Sequence, residues 1–138
     1  MVKDIVKDEE VLTKKSEDFI FGEDDYIIQD LIDTATAHKD NCVGLAAVQI
    51  GYHKRVFVAL INGKFVPFIN PRIISKFGKP YIAEEGCLSV DGVRSVKRYK
   101  QIYIKYLTKT GNTMVGKETN YTAEIIQHEY DHLEGILI

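Results

Sequence analysis

Residues 121–134 read YTAEIIQHEYDHLE, and within them lies Gln127-His128-Glu129-Tyr130-Asp131-His132. The run has a helical pattern, and Gly135 stands where a helix commonly ends in a left-handed residue. Two histidines four apart on a helix project from one face, close enough to hold one cation. The glutamate between them, Glu129, points to the side, where it can hold or deprotonate a water on that cation. A catalytic site of this kind needs three protein ligands and one open position. The longer protease pattern HExxHxxGxxH would put its last histidine at Ile138, and no later segment remains to supply a carboxylate. The third ligand is therefore expected upstream, with His38, His53 and Cys87 as candidates.

Working back from the helix, residues 101–108 (QIYIKYLT) are rich in β-formers. The turn Thr110-Gly111-Asn112 leads from them to a shorter strand around Met114. Residues 55–61 form a strand with apolar side chains facing both ways, so it is expected to be buried. Asn62-Gly63 is a strong hairpin signal, since both residues tolerate positive φ. Lys64 to Asn70 returns as the partner strand, and Pro67 argues for an edge or a bulge. Asp24 to Lys39 carries Ile28, Leu31, Ile32 and Ala35 at helical spacing, with Asp24 or Asp25 placed as a cap. The first twenty or so residues are expected to wrap across the surface, and Ile136-Leu137-Ile138 to form a short final strand. The order of helix, mostly antiparallel strands and helix gives an α+β fold. Its strands pack around a C-terminal metal-binding helix, with a second helix near the N-terminus.

A chain of 138 residues suits one domain, expected to span 1–138. Its hydrophobic share of 45%, charged share of 28% and net charge of −2 are those of an ordinary globular protein. No basic stripe is present, so direct nucleic-acid binding is not expected. No apolar run is long enough for a membrane span, and the N-terminus lacks a signal-like stretch, which together predict a cytoplasmic protein. With two cysteines, Cys42 and Cys87, a disulfide framework is not expected. Cys42 reads as a small buried hydrophobe. Cys87 follows a glycine that lets the backbone approach closely.

Three segments together resemble the peptide deformylase family, whose motifs are GxGLAAxQ, EGCLS and QHExDH. The second and third stand unbroken at Glu85–Ser89 and Gln127–His132; the first stands as CVGLAAVQ, residues 42–49. Their order and spacing match, and the likeness runs from about Val6 to the C-terminus. The resemblance implies removal of the formyl group from the N-terminal methionine of new polypeptides. Cys87, His128 and His132 would hold the metal, with water in the fourth place. The ion is most often ferrous iron in the family, and zinc, nickel or cobalt can take the same ligands. Glu129 would accept the water's proton and pass it to the departing amine. The Gln49 amide and the Leu88 N–H would form the oxyanion hole. Val43, Gly44, Arg94 and Ile125 match positions that pair with the peptide or border the methionine, and Glu85 would fix a ligand or Arg94. The partners so implied are formylated nascent peptides in a bacterial cytoplasm. Any ribosome contact would be transient and made without the C-terminal helix found in longer members, which this shorter form lacks.

Three positions depart from the family pattern. Cys42 replaces a glycine, Val48 replaces a residue that is often proline, and Glu124 stands where an apolar residue often lines the pocket; Glu124 is expected to face solvent. Competing readings are a small metallopeptidase, a binding or regulatory paralogue without turnover, and a structural zinc module with Cys42 as fourth ligand.

Overall fold

The computed structural model describes Met1–Ile138. Its elements are α1 (Glu9–Leu12), α2 (Asp25–Ala37), β1 (Gly44–Ala46), β2 (Val56–Ile61), β3 (Lys64–Phe77), β4 (Tyr81–Cys87), β5 (Val90–Arg98), β6 (Gln101–Leu107), β7 (Thr113–Thr119) and α3 (Asn120–Leu133). A single 3-10 turn, Ala47–Ile50, follows β1. Five strands form an antiparallel sheet in the order β1-β2-β3-β6-β7, and β4 pairs with β5 as a separate two-stranded ribbon. The α+β architecture expected from the sequence is the one observed.

The sheet lies between two helices, which explains why β2 is apolar at every position. Val56 and Val58 join Ile27, Leu31 and Ala35 of α2 in one core cluster. Phe57 and Ala59, alternating with them, join Ala123, Ile126 and Leu133 of α3 in the other. A strand covered on both faces loses the usual inside–outside alternation. Phe57 stacks on Phe68 with ring centroids 5.0 Å apart, and each such buried side chain contributes about 1.5–3 kcal/mol. On α3 this burial turns Ala123, Ile126 and Leu133 inward and fixes the direction in which the histidines project.

Local signals explain most boundaries. Asn62 (φ 50°) and Gly63 (φ 79°) form the β2–β3 turn. Gly135, at φ 75°, ends α3, and a Cβ there would lie 2.6 Å from the Thr13 carbonyl oxygen. Asp24 occupies the N-cap position of α2 without capping it. Its carboxylate instead accepts from the Ile20 N–H at 2.7 Å and meets Lys54 at 3.3 Å.

Two expectations need correction, and two elements were not foreseen. β3 runs to Phe77 and is central rather than ending at Asn70. Pro67 is tolerated because pairing with β6 begins only at Ile69, which leaves it one strand neighbour, Val58. Residues 136–138 form no strand. The N-terminal stretch includes the short helix α1, capped by Asp8, which accepts from the Glu10 N–H at 2.9 Å. The ribbon β4–β5 was not foreseen as a paired element.

Candidate active site

The ribbon and the C-terminal helix meet at three side chains. Cys87 is the last residue of β4; His128 and His132 lie one turn apart on α3. Their ligand atoms all fall within 4.8 Å of one another. Cys87 Sγ is 3.4 Å from His132 Nε2, and the two Nε2 atoms are 3.3 Å apart. Metal bonds of about 2.0–2.3 Å at tetrahedral angles put such donors roughly 3.3–3.6 Å apart, so the spacing suits one cation. The chemistry agrees, since two ring nitrogens facing each other at this distance can share at most one proton. His38 and His53 are not in the group. His53 Nε2 contacts the Val11 carbonyl at 2.9 Å instead. Cys42 is also outside it: its thiol is buried, donates to the Gly44 carbonyl at 3.3 Å, and is pushed up to about 12 by burial. A four-ligand structural zinc site through Cys42 is therefore not formed.

The ligands are held by a buried charge network. Glu85 Oε1 meets His128 Nδ1 at 2.8 Å. Both Glu85 oxygens also accept from Arg98, Nε at 3.0 Å and Nη2 at 2.8 Å. Arg98 Nη1 reaches Asp131 of α3 at 2.7 Å. Arg98 is 4% exposed, so one guanidinium in low dielectric ties the ribbon to the helix. Burial opposes charge on Glu85, yet the His128 and Arg98 hydrogen bonds hold its carboxyl down at about 2. Burial likewise opposes charge on His128, but the Cys87 and Glu85 contacts raise it to about 10. His132 is pushed down to about 3, first by burial and then by the His128 and Arg98 charges. The local field thus favours one positive charge at this point and no second proton.

Beside the ligands is a cavity of about 170 Å³ whose walls include Val43, Gly44, Gln49, Glu85, Leu88, Ile125 and Glu129. Glu129 is buried, its Oε1 has no hydrogen-bond partner, and burial pushes its carboxyl up to about 7. Gly44 is required by this arrangement, because a Cβ there would sit 2.7 Å from Glu129 Oε2. Gln49 is fixed by the Ala46 N–H, which donates to Oε1 at 3.0 Å. Its Nε2 then lies 3.2 Å from both Cys87 Sγ and Ser89 Oγ. The Leu88 N–H has no backbone acceptor.

The residues expected from the sequence thus gather around one cavity, with one exception. Arg94 pairs in register with Glu85 but is exposed and lines neither the catalytic cavity nor the adjoining groove. The arginine that meets Glu85 is Arg98. Sequence reasoning missed Arg98, Asp131 and Ser89 as parts of the site. The one available signal was the shared parity of Arg94 and Arg98, which on a strand gives both the same face. Glu124 is a correction: only partly exposed, it lines the cavity, where Tyr81 Oη donates to its Oε1 at 2.8 Å. Burial raises its carboxyl above the ordinary range.

Comparison with known proteins agrees with this geometry. The family model described as Polypeptide deformylase matches residues 2–138. A peptide deformylase of Clostridium beijerinckii is 48% identical over 138 residues, covering 100% of each chain. The crystal structure of peptide deformylase from Thermotoga maritima superposes with a TM-score of 0.90 at 33% identity, over 99% of this chain and 95% of that one. A Met-Ala-Ser-bound class I type b peptide deformylase from Acinetobacter baumannii superposes at 0.86 with 31% identity, over 99% and 97%. The chain belongs to the polypeptide deformylase family.

Proposed function

We propose that this chain, acting as one catalytic domain over residues 1–138, removes the formyl group from the N-terminal methionine of nascent polypeptides. In this reading Cys87, His128 and His132 hold one divalent cation. The observation that carries it is the meeting of one thiol and two imidazoles from β4 and α3 beside a cavity into which Glu129 points. A cation held by these three side chains would supply Lewis acidity, lowering the pKa of a water toward neutrality and polarising a carbonyl oxygen. One thiolate with two imidazoles suits iron, zinc, nickel or cobalt, and ferrous iron is the ion proposed for the cell.

The protein's own groups do the rest. Glu129 takes the proton of the attacking water and returns it to the departing methionine amine. The Gln49 amide, locked by Ala46, and the Leu88 N–H donate to the oxygen on which negative charge develops. β1 is an outer strand of the sheet, so Gly44 offers its backbone to an extended peptide, and Val43 borders the methionine side chain. Ile125, 6% exposed, supplies apolar wall for the methionine side chain. Glu85 orients the His128 ring. Arg94 is proposed to orient the peptide from outside the cavity, on the resemblance alone. The Met-Ala-Ser peptide of the Acinetobacter structure has the form of the product expected here. No helix is long and apolar enough to cross a membrane, and the bacterial cytoplasm is the proposed location.

The test is formate release from formyl-Met-Ala-Ser by protein loaded with Fe2+ without oxygen. Glu129→Gln should lower kcat by about 10²–10⁴-fold while metal stoichiometry is retained. Turnover of formylated and unformylated peptides alike, with cleavage of internal bonds, would favour a metallopeptidase. No formate from the loaded protein would favour a paralogue without turnover.

A further inference from the structure

The walls of the catalytic cavity carry an unusual charge balance. Glu84, Glu85, Glu124 and Glu129 all line it, and no Lys or Arg does. Three of these acids are accounted for. Glu85 is neutralised by His128 and Arg98, Glu129 belongs to the proton transfer, and Glu84 lies on the exposed face of the ribbon near Ser95 Oγ at 3.4 Å. Glu124 remains. It projects from α3 one turn before His128, beside Ile125 in the same wall. The Tyr81 hydroxyl donates to its carboxylate and fixes it in place, and the carboxylate also lies against that of Glu85. The buried, unpartnered Glu129 Oε1 in the same cavity marks it independently as a place that receives a ligand. In a cavity of about 170 Å³, a bound peptide end cannot lie far from any wall. A partly buried carboxylate in that wall attracts positive charge more strongly than a solvated one, even with Arg98 close enough to offset part of its charge.

From this we infer that Glu124 is a specificity residue: its carboxylate, held by Tyr81, favours formyl-peptides that carry a cationic side chain within the first two residues. The inference rests on the deformylase reading and deepens it. Tyr81 is a positioning residue, acting only through Glu124.

The experiment compares matched peptides on the metal-loaded enzyme at pH 8. Formyl-Met-Lys-Ser and formyl-Met-norleucyl-Ser report on the second position; formyl-Lys-Ala-Ser and formyl-norleucyl-Ala-Ser report on the first. The readout is the ratio of kcat/KM within each pair, since a loss of metal or fold scales both members equally. Glu124→Gln should lower the lysine-to-norleucine ratio by about 3- to 10-fold in one of the pairs, between the range of an exposed ion pair and that of a charged hydrogen bond. Glu124→Lys should lower it further and raise the rate for formyl-Met-Glu-Ser. Tyr81→Phe should lower it less, and 0.5 M salt should shrink the wild-type ratio. Calorimetric binding of the unformylated peptides Met-Lys-Ser and Met-norleucyl-Ser, and of Lys-Ala-Ser and norleucyl-Ala-Ser, gives the same ratios without turnover. Ratios unchanged within twofold in both pairs, by rate and by binding, overturn the inference. Absent turnover with a charge-dependent binding ratio would instead count against the deformylase reading and leave Glu124 as a recognition residue.

Discussion

The cation's three ligands come from two regions that are held in place by different physics. α3 buries Ala123, Ile125, Ile126 and Leu133 together with both histidines, so its position is set by packing against the sheet. The β4–β5 ribbon, which delivers Cys87, buries only Ala83 from β4 and only Arg98 from β5. Apolar residues such as Ile82 and Val93 stand exposed on it, at 68% and 63%. The ribbon is tied down by polar contacts instead: Glu85 to His128, Arg98 to Asp131, Gln49 to Cys87 and Gln127 to Tyr99. Half of the site is thus built into the core, and half is clasped onto it by charges and hydrogen bonds. A shared cation would be one more clasp across the same seam.

The largest effect should follow from removing that clasp. Cys87→Ala deletes one of three donors, so metal content should fall to background and formate release should fall with it. Removing the ion from the unaltered protein with a chelator should separate the two regions more finely. Hydrogen exchange of the β4–β5 amides should quicken, while the α3 amides around Ile126 and Leu133 keep their protection. Equal loosening of both would show that the ribbon is no more dependent on the ion than the helix is.

The next effect belongs to Arg98. Arg98→Met keeps much of the buried volume but leaves Glu85 and Asp131 without their cation. Losing one partner of a buried pair costs about 3–5 kcal/mol, here toward the lower figure because the Asp131 side chain is 21% exposed. Glu85 would also hold His128 less firmly, which should weaken metal affinity by about 10–100-fold. Denaturant unfolding and a metal titration measure the two parts separately. A variant as stable as the parent would mean that pairing within the ribbon, not the clasp, keeps it in place.

The same division decides what could be read from the sequence. α3 and the β2–β3 hairpin were legible because each carries its own local signal, a helical period closed by Gly135 in one case and Asn62-Gly63 in the other. The histidines followed from their spacing. Nothing local chose Cys87 over His38 or His53; only the EGCLS motif did. The ribbon gave no period because its exposed face carries the apolar Ile82 and Val93 while its inner face carries the charged Glu85 and Arg98. Pro67 misled in part, since an interior strand can still lack a neighbour over its first few residues. Glu124 misled most. A glutamate on a partly polar helix is normally solvated, and what holds it against the cavity is Tyr81, 43 residues away in sequence. Arg98 was hidden for a similar reason, because its two acids lie on different elements.

The smallest effect should come from Gln127, which joins the two regions without touching the chemistry. Its Oε1 accepts from the Tyr99 N–H at 3.0 Å, and its Nε2 donates to the Tyr99 carbonyl at 2.8 Å. Tyr99 follows directly on Arg98, so this amide pins the end of the ribbon just beyond the charge clasp. The side chain is buried, 3% exposed, and also donates to the Ala123 carbonyl one turn earlier in α3 at 2.9 Å. Gln127→Met fills nearly the same space but leaves both Tyr99 groups short of a partner. Stranded buried groups of this kind cost about 1–3 kcal/mol, a fall of roughly 3–10 °C in Tm for a chain of this size. Because Arg98, Glu85 and the ligands are untouched, kcat at 25 °C should change by less than about twofold. A large loss of metal affinity in Gln127→Met would show that the ribbon's position depends on its far end as much as on Arg98, and would make the seam one cooperative unit instead of a row of separate clasps.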